Sequence, residues 1–353
     1  MKSDLVFPPF VPHRLYRNPH LQTIVGQFHS RVKSPYQAEQ HSCRLPDNDL
    51  LILHDDCPGN WRPGDRVVIL LHGLSGCHRS SYMIRLAHKL NVKGVRVFRM
   101  DLRGCGAGTG LAKSPYHAGS FLDLQIALER IEQICPGSPI GIAGFSLGGT
   151  ISLNYLGRPS ETCGLVDRAV VLNPPMQLSE SVRVFGKPLF GRYQRHFVTN
   201  LIKHVRKSYQ YHNHTHKISG ANYPKTLLEF DNQFTAPMAG FESAEDYYTR
   251  CSPTEVLSHI NVPTLIITSQ DDPLVPAFTY QESIDQLAHH DKVTLYLTEH
   301  GGHLGFIGGP SSDPDPRWSD WRIIDWLLAE SPEGLANEVR NLSISSAPVE
   351  QSA

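Results

Sequence analysis

Short apolar runs recur along most of this chain, and helix-patterned stretches separate them. That alternation limits the open folds more than any other feature. "LLILHDD", "RVVILLHG", "GVRVFRMDLRG", "SPIGIAGF", "DRAVVLNPP", "VPTLIITSQDD" and "KVTLYLTEH" are rich in Val, Ile and Leu and flanked by turn residues. Runs of this length read as strands buried on both faces, the condition of a parallel sheet. "SSYMIRLAHKL", "SFLDLQIALERIEQI" and "TISLNYLG" carry helical spacing in several of the gaps. The expectation is an α/β fold: a mostly parallel central sheet flanked by helices.

One gap is too long for a simple crossover. Residues 175–260 carry irregular helical patterning and are expected to form a helical cap insertion over the C-terminal edge of the sheet, where such folds bind ligands. The other expected divisions are an N-terminal arm over 1–40, core over 41–174 and 261–335, and a flexible tail over 336–353.

Composition narrows the class of function. Of 353 residues, 40% are hydrophobic and 19% charged, enough for a large core. A net charge of −1 provides no field for nucleic acid. No run approaches the ~18 apolar residues of a membrane span, and the start lacks a signal-peptide pattern. Seven cysteines without CxxC spacing argue against a disulfide framework and a zinc site. A cytoplasmic protein with reduced thiols and no cofactor is expected.

"GFSLGG" places Ser146 in a G-x-S-x-G, with an apolar strand entering and an apolar helix leaving. That is the setting of a nucleophile elbow, a sharp turn projecting a serine Oγ. The serine needs a base, and the base an orienting acid, both later in the chain. "SQDDPLVP" offers Asp272, favoured by its Asp-x-x-Val-Pro context, with Asp271 as the fallback. "TEHGGHLGF" offers His300, close to the strand end, and His303, which the glycine pair frees to bend back over the sheet edge. His303 is the favoured base. The oxyanion donors expected by position are the backbone N–H groups of Leu147 and of Leu74 in "LLHGLSG", with His72 as support for that loop. A metal site at His212, His214 and His216 is disfavoured against an extended polar loop.

These motifs, with "NPHLQT", "DLRGCGAG", "YHAGSFLDL" and "FDNQFTAPMAGFESAEDYY", resemble in content and order the YheT-like branch of the α/β-hydrolase superfamily, over roughly residues 10–330. Carried over, that family's triad falls on Ser146, Asp272 and His303. Asp101 departs from the Asn usual before "LRGCG", and "YHAGSFLDL" lacks the acidic pair usual after its glycine, which touches contacts near His117 and Asp123 rather than the triad. The resemblance implies a carboxylesterase for short- to medium-chain acyl esters, with lipase, phospholipase or alcohol acyltransferase chemistry as alternatives on one triad. The implied partner is a small ester or lipid. A peptidase is a weaker variant.

A non-catalytic lipid-binding module is the competing class. Its motive is the stretch 181–210, where Arg183, Lys187, Arg192, Arg195, Lys203, Arg206 and Lys207 interleave with apolar residues and no acid intervenes. A cap helix with its apolar face inward accounts for the same pattern and is favoured. Asp231 is expected to orient the cap or the acid loop, and Asn18, His20 and Gln22 to pin the arm to the core by hydrogen bonds.

Overall fold

The computed structural model describes residues 7–28, 38–186, 191–211, 223–280, 283, 287 and 290–345. Eight strands form one sheet: β1 Glu39–Arg44, β2 Leu50–Asp56, β3 Val67–Leu71, β4 Arg96–Asp101, β5 Ile140–Phe145, β6 Val166–Leu172, β7 Thr264–Ser269 and β8 Val293–Thr298, in the order β1-β2-β4-β3-β5-β6-β7-β8. β1–β2 and β2–β4 pair antiparallel, and every other neighbour pair is parallel. Six of the seven apolar runs are β3 to β8, which pair in parallel, whereas "LLILHDD" is β2 and runs antiparallel to both neighbours, a departure from the expectation. Every residue of β3, β5 and β7 is buried, because helices cover both faces.

β1 was not legible as a strand. Its sequence, "EQHSCR", is polar and only Cys43 is buried, since it closes the sheet as an edge and answers only to β2. "LPDND" is the turn joining the two. The expected flexible tail over 336–353 needs correction as far as Ser345: Pro332–Ser345 is a helix, with Leu335, Ala336 and Val339 buried in the same apolar cluster as Trp326 and Leu327, while 346–353 lie outside the described residues. One small apolar stripe was enough to dock it.

Helices α1 Pro19–Phe28, α2 Ser81–Val92, α3 Phe121–Ile134 and α4 Leu147–Leu156 frame the core. α4 is buried along its whole length, so its sequence is apolar all round rather than striped. Between β6 and β7 lie α5 Leu178–Phe185, α6 Gly191–Tyr211 and short helical turns from Leu227 to His259. α6 turns Val198, Leu201, Ile202 and Val205 inward, leaving Arg192, Arg195, Lys203, Arg206 and Lys207 exposed. Its apolar side is thus used within the protein. Lys187 lies outside the described residues. No helix among the described residues is long and apolar enough to cross a membrane.

Candidate active site

Ser146 sits between the end of β5 and the start of α4 at φ 50°, ψ −121°, a conformation an L-residue adopts only under constraint. Its own N–H donates to Leu172 O of β6 (2.8 Å), and the flanking glycines let the turn close. A Cβ on Gly148 would stand 2.5 Å from Leu71 O, and one on Gly144 would stand 2.7 Å from Ser152 Oγ. Close backbone approach therefore requires both glycines of the motif.

Ser146 Oγ donates to His303 Nε2 (2.9 Å), and His303 Nδ1 donates to Asp272 Oδ2 (2.8 Å). Asp272 and His303 are 8% and 5% exposed, so this line of hydrogen bonds is shielded from water until it reaches the serine. The other Asp272 oxygen accepts the Leu274 and Val275 N–H groups (2.7 and 3.0 Å), and Asn173 Nδ2 donates to Oδ2 (2.8 Å). All four partners of this carboxylate are donors, as the ionised form requires.

Asp271 points elsewhere. It accepts the Gly302 N–H (2.8 Å) and faces His300 Nδ1 (3.3 Å), so that pair braces the loop carrying His303. His300 belongs to the loop, and the structure brings Asp272 rather than Asp271 to His303.

The Leu74 loop is held from both sides. Gly73 N–H donates to Tyr82 Oη (3.0 Å) and Ser75 N–H to Tyr116 Oη (2.8 Å). Among the described residues the Leu74 N–H has no hydrogen-bond acceptor. Leu147 is the first residue of α4, where an N–H has no partner inside the helix. Both leucines line the same cavity as Ser146 and His303. His72 is fully buried. Its Nδ1 donates to Gly73 O (2.8 Å), and its Nε2 accepts the Leu102 N–H (3.2 Å). Burial pushes its pKa down, so the ring is a neutral strut between this loop and the end of β4.

Ser146, Leu74 and His303 border two chambers. One, under the cap, is walled by Leu178, Val182, Leu201 and Leu227. The other, towards α1, is lined by the more polar Thr23, Gln27, Ser80 and His196.

Thr23, Asn173, Tyr82 and Tyr116 escaped sequence reasoning. Thr23 Oγ accepts the His303 N–H (2.9 Å) and donates to Pro19 O (2.8 Å), so the arm holds the histidine's backbone. Gln22, completely buried, pairs with both backbone groups of Ile307 (3.1 and 2.8 Å). Asn18 instead caps α1 through the His20 and Leu21 N–H groups, and His20 meets Tyr193 of α6 (3.1 Å). Asn173, at φ 47°, bridges Asp272 and the Leu304 N–H (3.2 Å). An asparagine straight after a strand, at a position needing positive φ, was the available signal.

Asp101 accepts His54 Nε2 (2.8 Å), His78 Nδ1 (2.7 Å), and the His78 and Ala107 N–H groups. His54, His78 and Asp101 lie close enough to share a metal ion, as do Glu39, His41 and Asp55. In the first group those hydrogen bonds already occupy the carboxylate. His212, His214 and His216 lie outside the described residues. Asp123 pairs bidentately with Arg103 (2.6 and 2.9 Å), and Asp231 bonds within the cap rather than to the acid loop.

A mostly parallel sheet carrying a strained serine at a strand–helix turn defines the α/β-hydrolase fold. Residues 66–310 match that family, and the chain belongs to it. Within it, the chain falls in the YheT-like branch. It is 32% identical to YheT of Escherichia coli (strain K12), provisionally named an esterase, over 90% of this chain and 92% of that one. It is 30% identical to the phospholipase ABHD3 of Mus musculus over 69% of this chain, spanning 58% of that longer protein. The solved esterase Pf2001 of Pyrococcus furiosus superposes with a TM-score of 0.54 at 18% identity, covering 92% of this chain and 97% of that one, a likeness of fold.

Proposed function

We propose that this protein is a carboxylesterase that cleaves short- to medium-chain acyl esters through an acyl-enzyme on Ser146. The observation that carries this reading is the shielded line Ser146–His303–Asp272, ending on a serine held at positive φ beside an apolar chamber. His303 takes the Ser146 proton as Oγ attacks the ester carbonyl, then delivers it to the leaving alcohol. The N–H groups of Leu74 and Leu147 receive the oxyanion, each worth about 3 kcal/mol in such sites. Asp272 fixes the Nδ1–H tautomer and stabilises the imidazolium. Water, activated by His303, then releases the acid. The leucine-walled chamber suits the acyl chain, and the polar chamber suits the alcohol or water.

An alcohol in that polar chamber would turn the same intermediate to acyl transfer, which product analysis with ethanol present would reveal. Ser146→Ala should abolish fluorophosphonate labelling and ester turnover. Labelling that persists in that variant refutes the assignment. The small-ester substrate, cytoplasmic location and cap boundaries at 175–260 stand as parts of the same proposal. Exposure of the α6 cations alone gives no apolar face for lipid insertion, so peripheral membrane contact is not part of it.

A further inference from the structure

The chamber under the cap is mostly apolar, and among the described residues that line it Asp231 is the only carboxylate. Asp231 opens a π-helical turn, Asp231–Thr235, and lines the same cavity as Ser146 and His303. π turns recur at functional sites. Its carboxylate accepts Thr235 Oγ–H (2.6 Å) and Tyr248 Oη–H (2.7 Å), both neutral donors. Those occupy two of roughly four lone-pair positions on a carboxylate. Among the described residues no Lys, Arg or His forms an ion pair with it. Two imidazoles that line the same chamber do not supply charge either. Burial drives His117 and His204 down to about 4, so both are neutral. Burial also pushes the Asp231 carboxyl up to about 6, which leaves it mostly ionised at neutral pH.

A carboxylate facing an apolar chamber without a cation is costly unless a ligand brings it a donor. Binding pockets typically fix orientation with one such polar group in an apolar wall. A purely structural tie to Thr235 and Tyr248 would not require an acceptor with positions to spare.

We propose that Asp231 binds substrate by accepting a hydrogen bond from a hydroxyl on the acyl chain, making hydroxyacyl esters the preferred substrates. This rests on Ser146 being the esterase nucleophile and on the leucine-walled chamber holding the acyl group.

The test compares p-nitrophenyl esters of ω-hydroxyoctanoate and nonanoate, a hydroxyl against a methyl of similar length, with a series moving the hydroxyl along the chain. Wild type should favour one hydroxylated ester by about tenfold or more in kcat/KM, mainly through KM. Asp231→Leu, which removes the acceptor, should bring that ratio close to one, and Asp231→Asn, which keeps only a neutral amide oxygen, should lower it, with folding checked by circular dichroism. A ratio near one in wild type at every hydroxyl position overturns the proposal, as does a preference that survives both substitutions. A preference seen only when the hydroxyl sits on the alcohol half, as in a glycerol monoester against a propyl ester, overturns the acyl assignment. Loss of all turnover and of Ser146 labelling in wild type would instead sink the esterase reading itself.

Discussion

Asp272→Asn is the most revealing single change, because every partner of that carboxylate is a donor. Leu274 N–H and Val275 N–H approach one oxygen, and His303 Nδ1–H and Asn173 Nδ2–H the other. An amide group must present its NH₂ to one of these pairs. Facing the two backbone groups would oppose rigid donors at a cost of about 1–3 kcal/mol for each orphaned group. Facing the side chains is cheaper, because an imidazole can change tautomer. His303 then accepts at Nδ1 and carries its proton on Nε2, facing Ser146, where it cannot act as a base. The loss of the correct tautomer and of the carboxylate's field should lower kcat by about 10³–10⁴-fold, or roughly 4–5.5 kcal/mol. Burst kinetics with a p-nitrophenyl ester would measure it as slowed acylation in a folded variant. Asp271→Asn, which touches only the Gly302 N–H and His300, should cost far less. If Asp272→Asn keeps more than about a tenth of wild-type kcat, the tautomer argument is wrong.

Other outcomes follow from the same geometry. Thr23→Val removes the acceptor of the His303 N–H and should lower kcat by about 1–2 kcal/mol with little change in KM, read from Michaelis–Menten curves. Tyr116→Phe releases the Ser75 N–H and loosens the Leu74 donor, so kcat should fall about tenfold while KM holds; a change confined to KM would remove the tyrosine from this role. Asp320 is 1% exposed and holds Arg85 (2.5 Å) and Lys89 (2.9 Å), so Asp320→Asn should destabilise the fold by about 3–5 kcal/mol near neutral pH in urea. Arg85 and Lys89 hold the Asp320 pKa down to about 2, below its value in the unfolded chain. Its stabilisation is therefore present above about pH 4 and lost as pH falls towards 2, so the gap between variant and wild type should narrow in acid.

The parallel core and the Ser146 elbow could be read from the sequence because their signals are local. A fully buried strand must be apolar throughout, and a turn as tight as Gly144–Gly148 tolerates few residue types. Asp272 and His303 could be placed by their order after later strands. The Asp-x-x-Val-Pro context favours Asp272 over its neighbour in the sequence, but the separate task of Asp271, turned to the Gly302 N–H and His300, depends on the loop's path and is invisible without it. Thr23, Asn173 and the two tyrosines went unseen because each acts through a contact with residues distant in the chain. The Thr23 bond spans 280 positions. β1 failed for a simpler reason: an edge strand facing water has no need of the apolar pattern by which strands are recognised.

That arm has a consequence for the order in which the protein can become active. Residues 11–13 pair with 307–309, Gln22 with Ile307, and Thr23 with His303. A ribosome making this chain must hold the arm unpartnered until the last strand and its loop have emerged. Contacts of such long separation close late, after the entropic cost of the intervening loop has been met. On the mechanism proposed above, an elbow formed before His303 is seated would leave a nascent chain chemically silent. A fragment cut to the family-matched span, 66–310, would keep all three side chains and lose the brace that aims one of them.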